Sequence, residues 1–446
     1  MMPKGIPKRI GRRNLHYLKI LLQLSLLVFS VILIAVGLWG PQFAPKNLTT
    51  LFVWVHYRGF LVLGLLVWGN IFCMSCPFIF VRDCMRVFIT PKYLWPKKLQ
   101  NKWVALLLFC SVLFFYEYLS LWSSPFKTAL IIIAFFLGAV LTDLIFKKAS
   151  FCKYLCPIGQ FNFLASTLSP KEVKAKNLSV CQSCTTLDCL RGNKEKQLRG
   201  CELHLLMPKK KGNLDCTFCM DCVAACPYEN IHVANTIPSA ELWQDSHRSG
   251  VGLLTQRKDI LAFIIAFTFG GLLNAFAMTG PAQLLKDKIK EMLNFQNEFL
   301  ILLFFFFLFL IVLPVLLLVI PEKISRQFSG QKFKLIPTLL PLGFSVWLAH
   351  YSFHLLTGFF TFVPLVMTKF SMPVRLMGLS PSIVTPIQIG LLTLGFIGSV
   401  IVSSSIVENK KIQLSWIAAH STITLLAFWI LTMPMEMRGT FVGLAP

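Results

Sequence analysis

Residues 301–320 read ILLFFFFLFLIVLPVLLLVI and contain no charged or polar side chain. A helix needs about 20 mostly apolar residues to cross the hydrocarbon core of a bilayer, so this stretch predicts a membrane-spanning helix. The whole chain has the same character. Of its 446 residues, 55% are hydrophobic and only 14% are charged, whereas soluble domains carry about 25% charged residues. We therefore predict an all-α polytopic membrane protein.

Eight further stretches are long and apolar enough to span the bilayer, which gives about nine predicted helices. In chain order the nine are 20–39, 52–71, 103–122, 128–146, 260–279, 299–320, 336–360, 383–407 and 412–434. Lys and Arg are concentrated in every second loop, and this asymmetry predicts a cytoplasmic N-terminus and an outside C-terminus in the cell inner membrane. Because membrane orientation explains the net charge of +24, we expect no nucleic-acid partner.

The predicted spans divide the chain into three parts. Residues 1–146 form a four-helix membrane domain, 147–258 a cytoplasmic ferredoxin-like segment, and 259–446 a five-helix membrane domain of unknown role. All fourteen cysteines precede residue 227, so the redox or metal chemistry is expected in the first two parts.

The strongest motif lies in the polar segment. Residues 216–227 read CTFCMDCVAACP, which is the C-x2-C-x2-C-x3-C-P spacing of bacterial ferredoxins. In two-cluster ferredoxins the fourth cysteine of such a run ligates the other cluster. Zinc sites usually pair two C-x2-C units across a longer gap, so we favour iron–sulfur over zinc.

A second set of cysteines lies upstream and has the spacing C-x2-C-x4-C-x11-C. Exchange of one cysteine between the two sets predicts two [4Fe–4S] clusters. One cluster is then held by Cys181, Cys184, Cys189 and Cys226, and the other by Cys201, Cys216, Cys219 and Cys222. One cluster together with a structural zinc is the alternative.

Two Cys-Pro motifs lie outside this segment. Residues 73–77 (CMSCP) follow the second predicted helix, and residues 152–157 (CKYLCP) follow the fourth, so both are expected at one membrane face. Nearby Arg82 and Lys153, together with backbone N–H groups freed by the prolines, are expected to lower the thiol pKa. The thiols of Cys73, Cys76, Cys152 and Cys156 could hold a metal or a further cluster, cycle as a dithiol, or only pack at helix ends.

This combination resembles the membrane iron–sulfur (polyferredoxin) family that includes the nitrate-reductase quinol dehydrogenase subunit and the nitrous-oxide-reductase regulator. The resemblance rests on residues 68–77, residues 152–159 and the ferredoxin run, and it covers the first half of the chain. The family carries C-x3-C-P twice, whereas the first motif here is C-x2-C-P. The resemblance implies electron transfer between membrane quinol and a partner through clusters on the cytoplasmic side. A branch of the same superfamily resembles copper reductases of cytochrome-oxidase assembly.

The second half of the chain offers histidines instead of cysteines. His350 and His354 lie one turn apart in the seventh predicted helix, and His420 lies in the ninth. Histidine inside a membrane segment is rare and marks a functional candidate. Ligation of a b-haem or another metal, a quinone or proton site, and simple packing all remain open, although a depth mismatch of roughly 9 Å weakens a haem between His350 and His420. Glu117 in the third helix either handles quinol protons or forms an interhelical hydrogen bond.

We therefore predict a membrane-bound iron–sulfur electron-transfer protein, and leave open whether it is a component of a quinol-linked oxidoreductase. It would relay electrons between the quinone pool and a soluble carrier or partner redox subunit. Basic residues near the clusters could steer an acidic carrier or form an ordinary solvated face near the membrane: Lys194, Lys196, Arg199 and residues 209–211. The alternatives are a copper reductase or metal-handling assembly factor that uses the Cys-Pro motifs, and an iron–sulfur redox sensor. Neither G-x-x-x-x-G-K-[ST] nor G-x-G-x-x-G is present, which argues against nucleotide chemistry.

Overall fold

The computed structural model describes residues 9–435, apart from 194, 196–197, 244–245, 293, 295–296, 331 and 368–377. In this part of the chain, eight helices are long and apolar enough to cross a membrane, and one further apolar helix is shorter. We label these helices in chain order: α1 (Arg9–Trp39), α2 (Leu48–Trp68), α3 (Trp103–Tyr118), α4 (Pro125–Ile145), α5 (Lys258–Phe276), α6 (Glu298–Ser329), α7 (Ile336–Gly358), α8 (Pro381–Ile406) and α9 (Lys410–Thr432).

Short helices and one small sheet complete the fold. The short helices are Ile71–Met74, Pro77–Phe88, Pro157–Ala165, Leu178–Gln182, Asp188–Arg191, Asp221–Ala225, Ala240–Trp243, Gly280–Met292 and Phe362–Met367. Strands β1 (Lys171–Ala175) and β2 (Ile231–Asn235) pair antiparallel, with Val173 opposite Val233. The sheet brings the two ends of the cysteine-rich segment together.

The third predicted span, 103–122, is shorter in the structure. α3 ends at Tyr118 after 16 residues, which is about 24 Å and less than the ~30 Å hydrocarbon core. Ser120 takes a left-handed φ of 46°, and a 3-10 turn at Leu121–Ser123 then leads to Pro125 at the start of α4. The count of nine full spans is therefore not confirmed, and eight helices meet the length.

Polar contacts between helix ends show which ends share a face. Lys102, just before α3, donates its backbone N–H to Asp259 at the start of α5 at 2.7 Å. At the other end of α3, the Leu121 carbonyl accepts a hydrogen bond from the Thr128 hydroxyl of α4 at 2.7 Å. Short as it is, α3 thus connects both faces of the helix bundle. We call the face at Lys102 the cysteine face, because the cysteine motifs lie there.

α6 shows how the chain accommodates a proline inside a helix. A π-helical turn, Leu308–Val312, directly precedes Pro314. Proline has no N–H to donate and its ring clashes with the preceding turn, and the wider π turn makes room for it. α6 continues well beyond its predicted end at 320, until Gly330 with φ of 67° ends it.

α7 is the most deeply buried of the long helices. The Trp347 indole donates to the Phe267 carbonyl at 2.8 Å and lies against Gly271, where a Cβ would stand 3.1 Å from its nitrogen. Phe161, in the short helix Pro157–Ala165, packs edge-on against Trp347 with ring centroids 5.4 Å apart. The start of the ferredoxin-like segment is therefore packed into the core of the membrane half.

Candidate metal centres

Twelve of the fourteen cysteines fall into three groups of four in the structure. The Cys-Pro tetrad consists of Cys73, Cys76, Cys152 and Cys156. The proximal group consists of Cys201, Cys216, Cys219 and Cys222. The distal group consists of Cys181, Cys184, Cys189 and Cys226. Cys84 and Cys110 stand apart, Cys84 exposed and Cys110 inside α3.

The distal group surrounds one pocket, which all four of its cysteines line. Burial, together with the nearby thiols of Cys226, Cys181 and Cys184, raises the pKa of Cys189 to about 11. Asn230 donates its side-chain amide to Cys181 Sγ at 3.2 Å and its backbone N–H to Cys226 Sγ at 3.4 Å. Such N–H donors to cysteine sulfur are among the features that tune iron–sulfur clusters.

The proximal group forms around the ferredoxin run. Burial raises the pKa of Cys222 well above its ordinary value, and the thiols of Cys219, Cys216 and Cys201 raise it further. The Leu205 N–H lies 3.4 Å from Cys201 Sγ. Cys201 thus joins the three cysteines of the run although its own sequence position lies outside it.

Backbone conformation lets the ferredoxin run wrap round one point. Asp215, Phe218 and Met220 all have left-handed φ values, between 55° and 62°. Each of these residues reverses the chain direction locally, which turns the intervening cysteines towards a common centre. The helix Asp221–Ala225 then carries Cys222.

The Cys-Pro tetrad lies where two short helices begin. Cys76 is the N-cap of the helix Pro77–Phe88 and Cys156 is the N-cap of Pro157–Ala165, each with proline in the first turn. Cys156 Sγ accepts the Gly159 N–H at 3.2 Å. Two helix N-termini, with their partial positive charge, thus adjoin the tetrad and would favour thiolate or cluster charge.

The expectation that these thiols have lowered pKa values is wrong. Burial raises the pKa of Cys73 to about 12, and burial also raises the pKa of Cys76, although Arg82 opposes it. Lys153 does not assist, since its ammonium donates to the Leu203 carbonyl at 2.7 Å and interacts with Cys201 of the proximal group. Buried thiols with raised pKa are poor nucleophiles, which disfavours dithiol cycling.

The three groups lie in series. Cys73 interacts electrostatically with Cys216, and Asn70 bridges the same two motifs: it donates to the Cys216 carbonyl at 3.0 Å and accepts from the Cys73 N–H at 3.4 Å. Cys201 donates its N–H to the Cys189 carbonyl at 2.9 Å. The order is therefore tetrad, proximal group, distal group.

A buried arginine supports the tetrad from one side. Arg82 is 2% exposed and forms ion pairs with Asp143 at 3.1 Å, Asp83 at 2.6 Å and Glu202 at 2.7 Å. These acids come from α4, from the same helix as Arg82, and from the cysteine-rich segment. One guanidinium thus fixes both Cys-Pro segments and the ferredoxin-like segment relative to each other.

The histidines of the second half do not join the cysteines. His350, His354 and His420 are all buried, and His420 Nε2 lies 3.1 Å from the Thr338 hydroxyl. Across the described ranges, no three His, Cys, Asp or Glu side chains lie close enough together to hold a single metal ion. The assignment of a single metal ion therefore gains no support, either at the histidines or at the Cys-Pro tetrad.

An arginine that the sequence did not single out, Arg58, lies within α2. Arg58 donates to the Tyr116 hydroxyl at 2.8 Å, and its guanidinium faces the rings of Trp54, Tyr116 and Tyr351 at 4.7–5.0 Å. Among the described residues it has no carboxylate partner. Its neighbour Tyr57 interacts electrostatically with tetrad thiols. A charged residue inside a membrane segment is in general a sign of function. Arg58 lies inside the second predicted span, so this rule could have identified it from the sequence.

Of the basic residues predicted to steer a carrier, some are paired with carboxylates and others are exposed. Arg199 pairs with Asp83, and Lys210 lies 3.7 Å from Glu172 with its side chain 2% exposed. Lys209 and Lys211 are exposed, while Lys194 and Lys196 lie outside the described residues.

Comparison with known proteins bears on the tetrad. Residues 50–101 and 128–174 each match the family of 4Fe-4S binding domains. The first segment contains Cys73 and Cys76, and the second contains Cys152 and Cys156. The match supports an iron–sulfur protein with 4Fe-4S binding and gives no support to a haem. A comparison of the chain with curated proteins and with solved structures found no match.

Proposed function

We propose that this protein is a membrane electron-transfer protein that relays electrons between the quinone pool and a redox partner. The observation that carries the proposal is the series of three four-thiol groups that begins beside the membrane helices. Each group offers four cysteines, and at least one thiol in each accepts an N–H hydrogen bond. This is the donor set of a [4Fe–4S] cluster.

The proximal and distal groups would hold the two ferredoxin-type clusters. The tetrad would hold a third, because both of its halves lie in segments that match 4Fe-4S binding domains. A bound [4Fe–4S] cluster supplies a site that accepts and releases one electron at a time. The chain contributes the thiols, the N–H donors and the burial that excludes water.

Iron analysis tests this assignment directly. The protein purified anaerobically in detergent is expected to contain about 12 iron and 12 sulfide per chain, four for each [4Fe–4S] cluster. The double variant Cys76→Ala, Cys156→Ala should lose about four of each and keep the rest. Cys84→Ala is the matched control and should lose none, since Cys84 is exposed and joins no group.

Metal analysis of the same samples also distinguishes electron transfer from the alternative function, copper handling. Stoichiometric copper that disappears in the double variant, with only about eight iron in the wild type, would make the tetrad a copper site. Eight iron with neither copper nor any change in the variant would leave the tetrad as packing cysteines and remove the third cluster.

The surroundings of Arg58 support a quinol site on the membrane side of the tetrad. Quinol oxidation releases two electrons and two protons, so its site needs a nearby electron acceptor and polar groups for the head. Arg58 and Tyr116 supply hydrogen-bond donors, Trp54 and Tyr351 supply flat rings, and Tyr57 faces the tetrad. Glu117 follows Tyr116 on α3, where it could take a proton.

Quinol-driven reduction tests this site. Tyr116→Phe should slow reduction of the clusters by a water-soluble quinol at least tenfold, because it removes a donor next to the guanidinium. Reduction by dithionite and iron content should stay unchanged. Tyr118→Phe on the same helix, where Tyr118 is 39% exposed, is the control. Equal quinol rates in Tyr116→Phe, Glu117→Gln and wild type would remove the quinol site from this position without affecting the cluster assignment.

A further inference from the structure

An open cavity of about 350 Å³ lies on the cysteine face, beside the metal centres but not part of them. Its volume falls within the range of small-molecule sites. Four of its lining residues are cations, and one is a carboxylate: Lys102, Lys153, Arg248 and Arg257, against Asp215.

Of these four cations, Lys153 is the one whose N–H donors are not engaged by a carboxylate. Lys102 pairs with Asp215, Arg248 with Glu241 and Arg257 with Asp259. Lys153 donates to the Leu203 carbonyl, interacts electrostatically with Cys201 and lies 5.8 Å from the Tyr154 ring, but it has no carboxylate partner among the residues that the structure describes. An ammonium group has three donors, so Lys153 can bind an anion without giving up its existing contact.

Asp215 imposes a second requirement on the ligand. Its Oδ1 accepts from Lys102 Nζ at 2.7 Å, whereas its buried Oδ2 has no hydrogen-bond partner within the described part of the chain. Asp215 is 1% exposed. A buried carboxylate oxygen left without a donor is costly. A ligand with a hydroxyl group would satisfy it.

The backbone around the cavity leaves room for a ligand. Lys102 and Arg257 are the N-caps of α3 and α5, but Asp259 in the first turn of α5 accepts the Lys102 N–H at 2.7 Å, so these helix ends are already neutralised by the chain itself. Gly252 has φ of 83° and no heavy atom within 4 Å of where its Cβ would stand. A ligand can therefore approach the main chain closely there.

We propose that this cavity binds a phosphate-bearing ligand that also carries a hydroxyl group. Lys153 binds the phosphate, and Asp215 Oδ2 accepts a hydrogen bond from the hydroxyl group. The ligand is either a soluble phosphate or a phospholipid headgroup, since basic pockets between membrane helices at this face bind anionic headgroups. The site stands independently of the proposed electron transfer.

Binding to the intact protein tests the proposal with two probes. Inorganic phosphate, as hydrogen phosphate, is titrated against detergent-purified protein, and thermal stability is followed. Separately, the protein is placed in nanodiscs of phosphatidylglycerol or of phosphatidylcholine. Lys153→Gln removes the free ammonium, and Gln100→Glu puts a negative charge on an exposed lining residue. Lys98→Gln, exposed on the same face, is the control.

Each outcome bears on the proposal. Stabilisation by inorganic phosphate identifies a soluble ligand, and stabilisation by phosphatidylglycerol alone identifies a lipid. Either one supports the site if Lys153→Gln and Gln100→Glu weaken it at least tenfold and Lys98→Gln does not. No stabilisation by either probe overturns it. So does a Lys153→Gln variant that shifts a cluster potential but binds both probes normally, because Lys153 would then only balance thiolate charge. If Lys153→Gln loses iron, its weaker binding could reflect damage to a metal centre. The binding measured with Gln100→Glu then decides whether the cavity is the site.

Discussion

Replacing Gly69 with alanine should disrupt the junction between the tetrad and the proximal group. Gly69 ends α2 with φ of 79° and ψ of −153°, a backbone region that is essentially restricted to glycine. It directly precedes Asn70, which bridges Cys73 and Cys216. A Cβ at Gly69 would stand 2.7 Å from Cζ and 2.9 Å from Cε1 of the Phe218 ring.

Two costs contribute to the expected effect. A non-glycine residue in this backbone region costs about 1–3 kcal/mol. Phe218 is 3% exposed, so its ring has little room to withdraw, and overpacking of that kind costs about 1–3 kcal/mol. Together the change should destabilise the junction by about 2–6 kcal/mol, a large share of a typical stability of about 5–15 kcal/mol.

The assay follows loss of the visible iron–sulfur absorbance at a fixed temperature. Cluster loss is irreversible, so the half-life is the meaningful quantity, and Gly69→Ala should shorten it at least tenfold. Gly390→Ala in α8 is the control, because nothing lies within 4 Å of its added Cβ and alanine favours a helix. Adding Phe218→Leu removes the ring contact but not the backbone strain, so a double-mutant cycle separates the two costs.

One result would refute this reasoning. If Gly69→Ala kept its iron and its half-life stayed within twofold of that of Gly390→Ala, neither the strain nor the contact at Gly69 would matter to the centres. If the double variant with Phe218→Leu behaved as the sum of its parts, the contact alone would be excluded and the backbone strain would remain.

Three further predictions concern charges near the centres. Burial alone would raise the pKa of Asp83, but the guanidinium groups of Arg82 and Arg199 lower it below its ordinary value. That stabilisation is present above about pH 3.9 and is lost as the pH falls through the folded pKa, which lies lower still, so Asp83→Asn should flatten the acid limb of iron retention measured from about pH 5 to about pH 2. Asp215→Asn should cost about 3–5 kcal/mol because it leaves Lys102 buried and unpaired, and the double variant with Lys102→Met should recover part of the lost half-life. Arg82→Met should lower the iron content by about four if it empties the tetrad alone, and a complete loss of iron would show that Arg82 holds the whole assembly.

The grouping of the ferredoxin cysteines was predictable because it follows from local spacing. The run from Cys216 to Cys226 fixes three neighbouring thiols and one that points away, and exchange with the upstream set then assigns Cys201. In the structure the cysteines lie in the same two groups of four, the distal and the proximal group. That these groups hold clusters stays a prediction.

Other features depend on packing that spacing does not encode. Hydrophobicity predicted a full span at 103–122, but α3 ends at Tyr118, just before the left-handed Ser120. The polar neighbourhood of the Cys-Pro motifs predicted lowered thiol pKa values, whereas desolvation, which is set by the folded core, raises them. Arg58 was overlooked because its aromatic partners come from α2, α3 and α7, which sequence alone cannot bring together.

The two Cys-Pro segments are best understood as two copies of one unit. Both match the same family of domains, and each consists of a long helix, a tight turn with two cysteines, and a short helix that begins with proline.

The spacing difference between the two copies has a structural explanation. In the first copy Cys73 lies on an α-helical turn, with Ser75 N–H bonded to the Ile71 carbonyl. In the second copy Cys152 lies on a π-helical turn, with Cys156 N–H bonded to the Phe151 carbonyl. A π turn contains one more residue than an α turn. The extra residue of the C-x3-C motif is therefore absorbed by its π turn, and the two thiols of each motif take equivalent positions in the tetrad. Each copy then supplies half of the tetrad, and the four-thiol centre exists only where the copies meet.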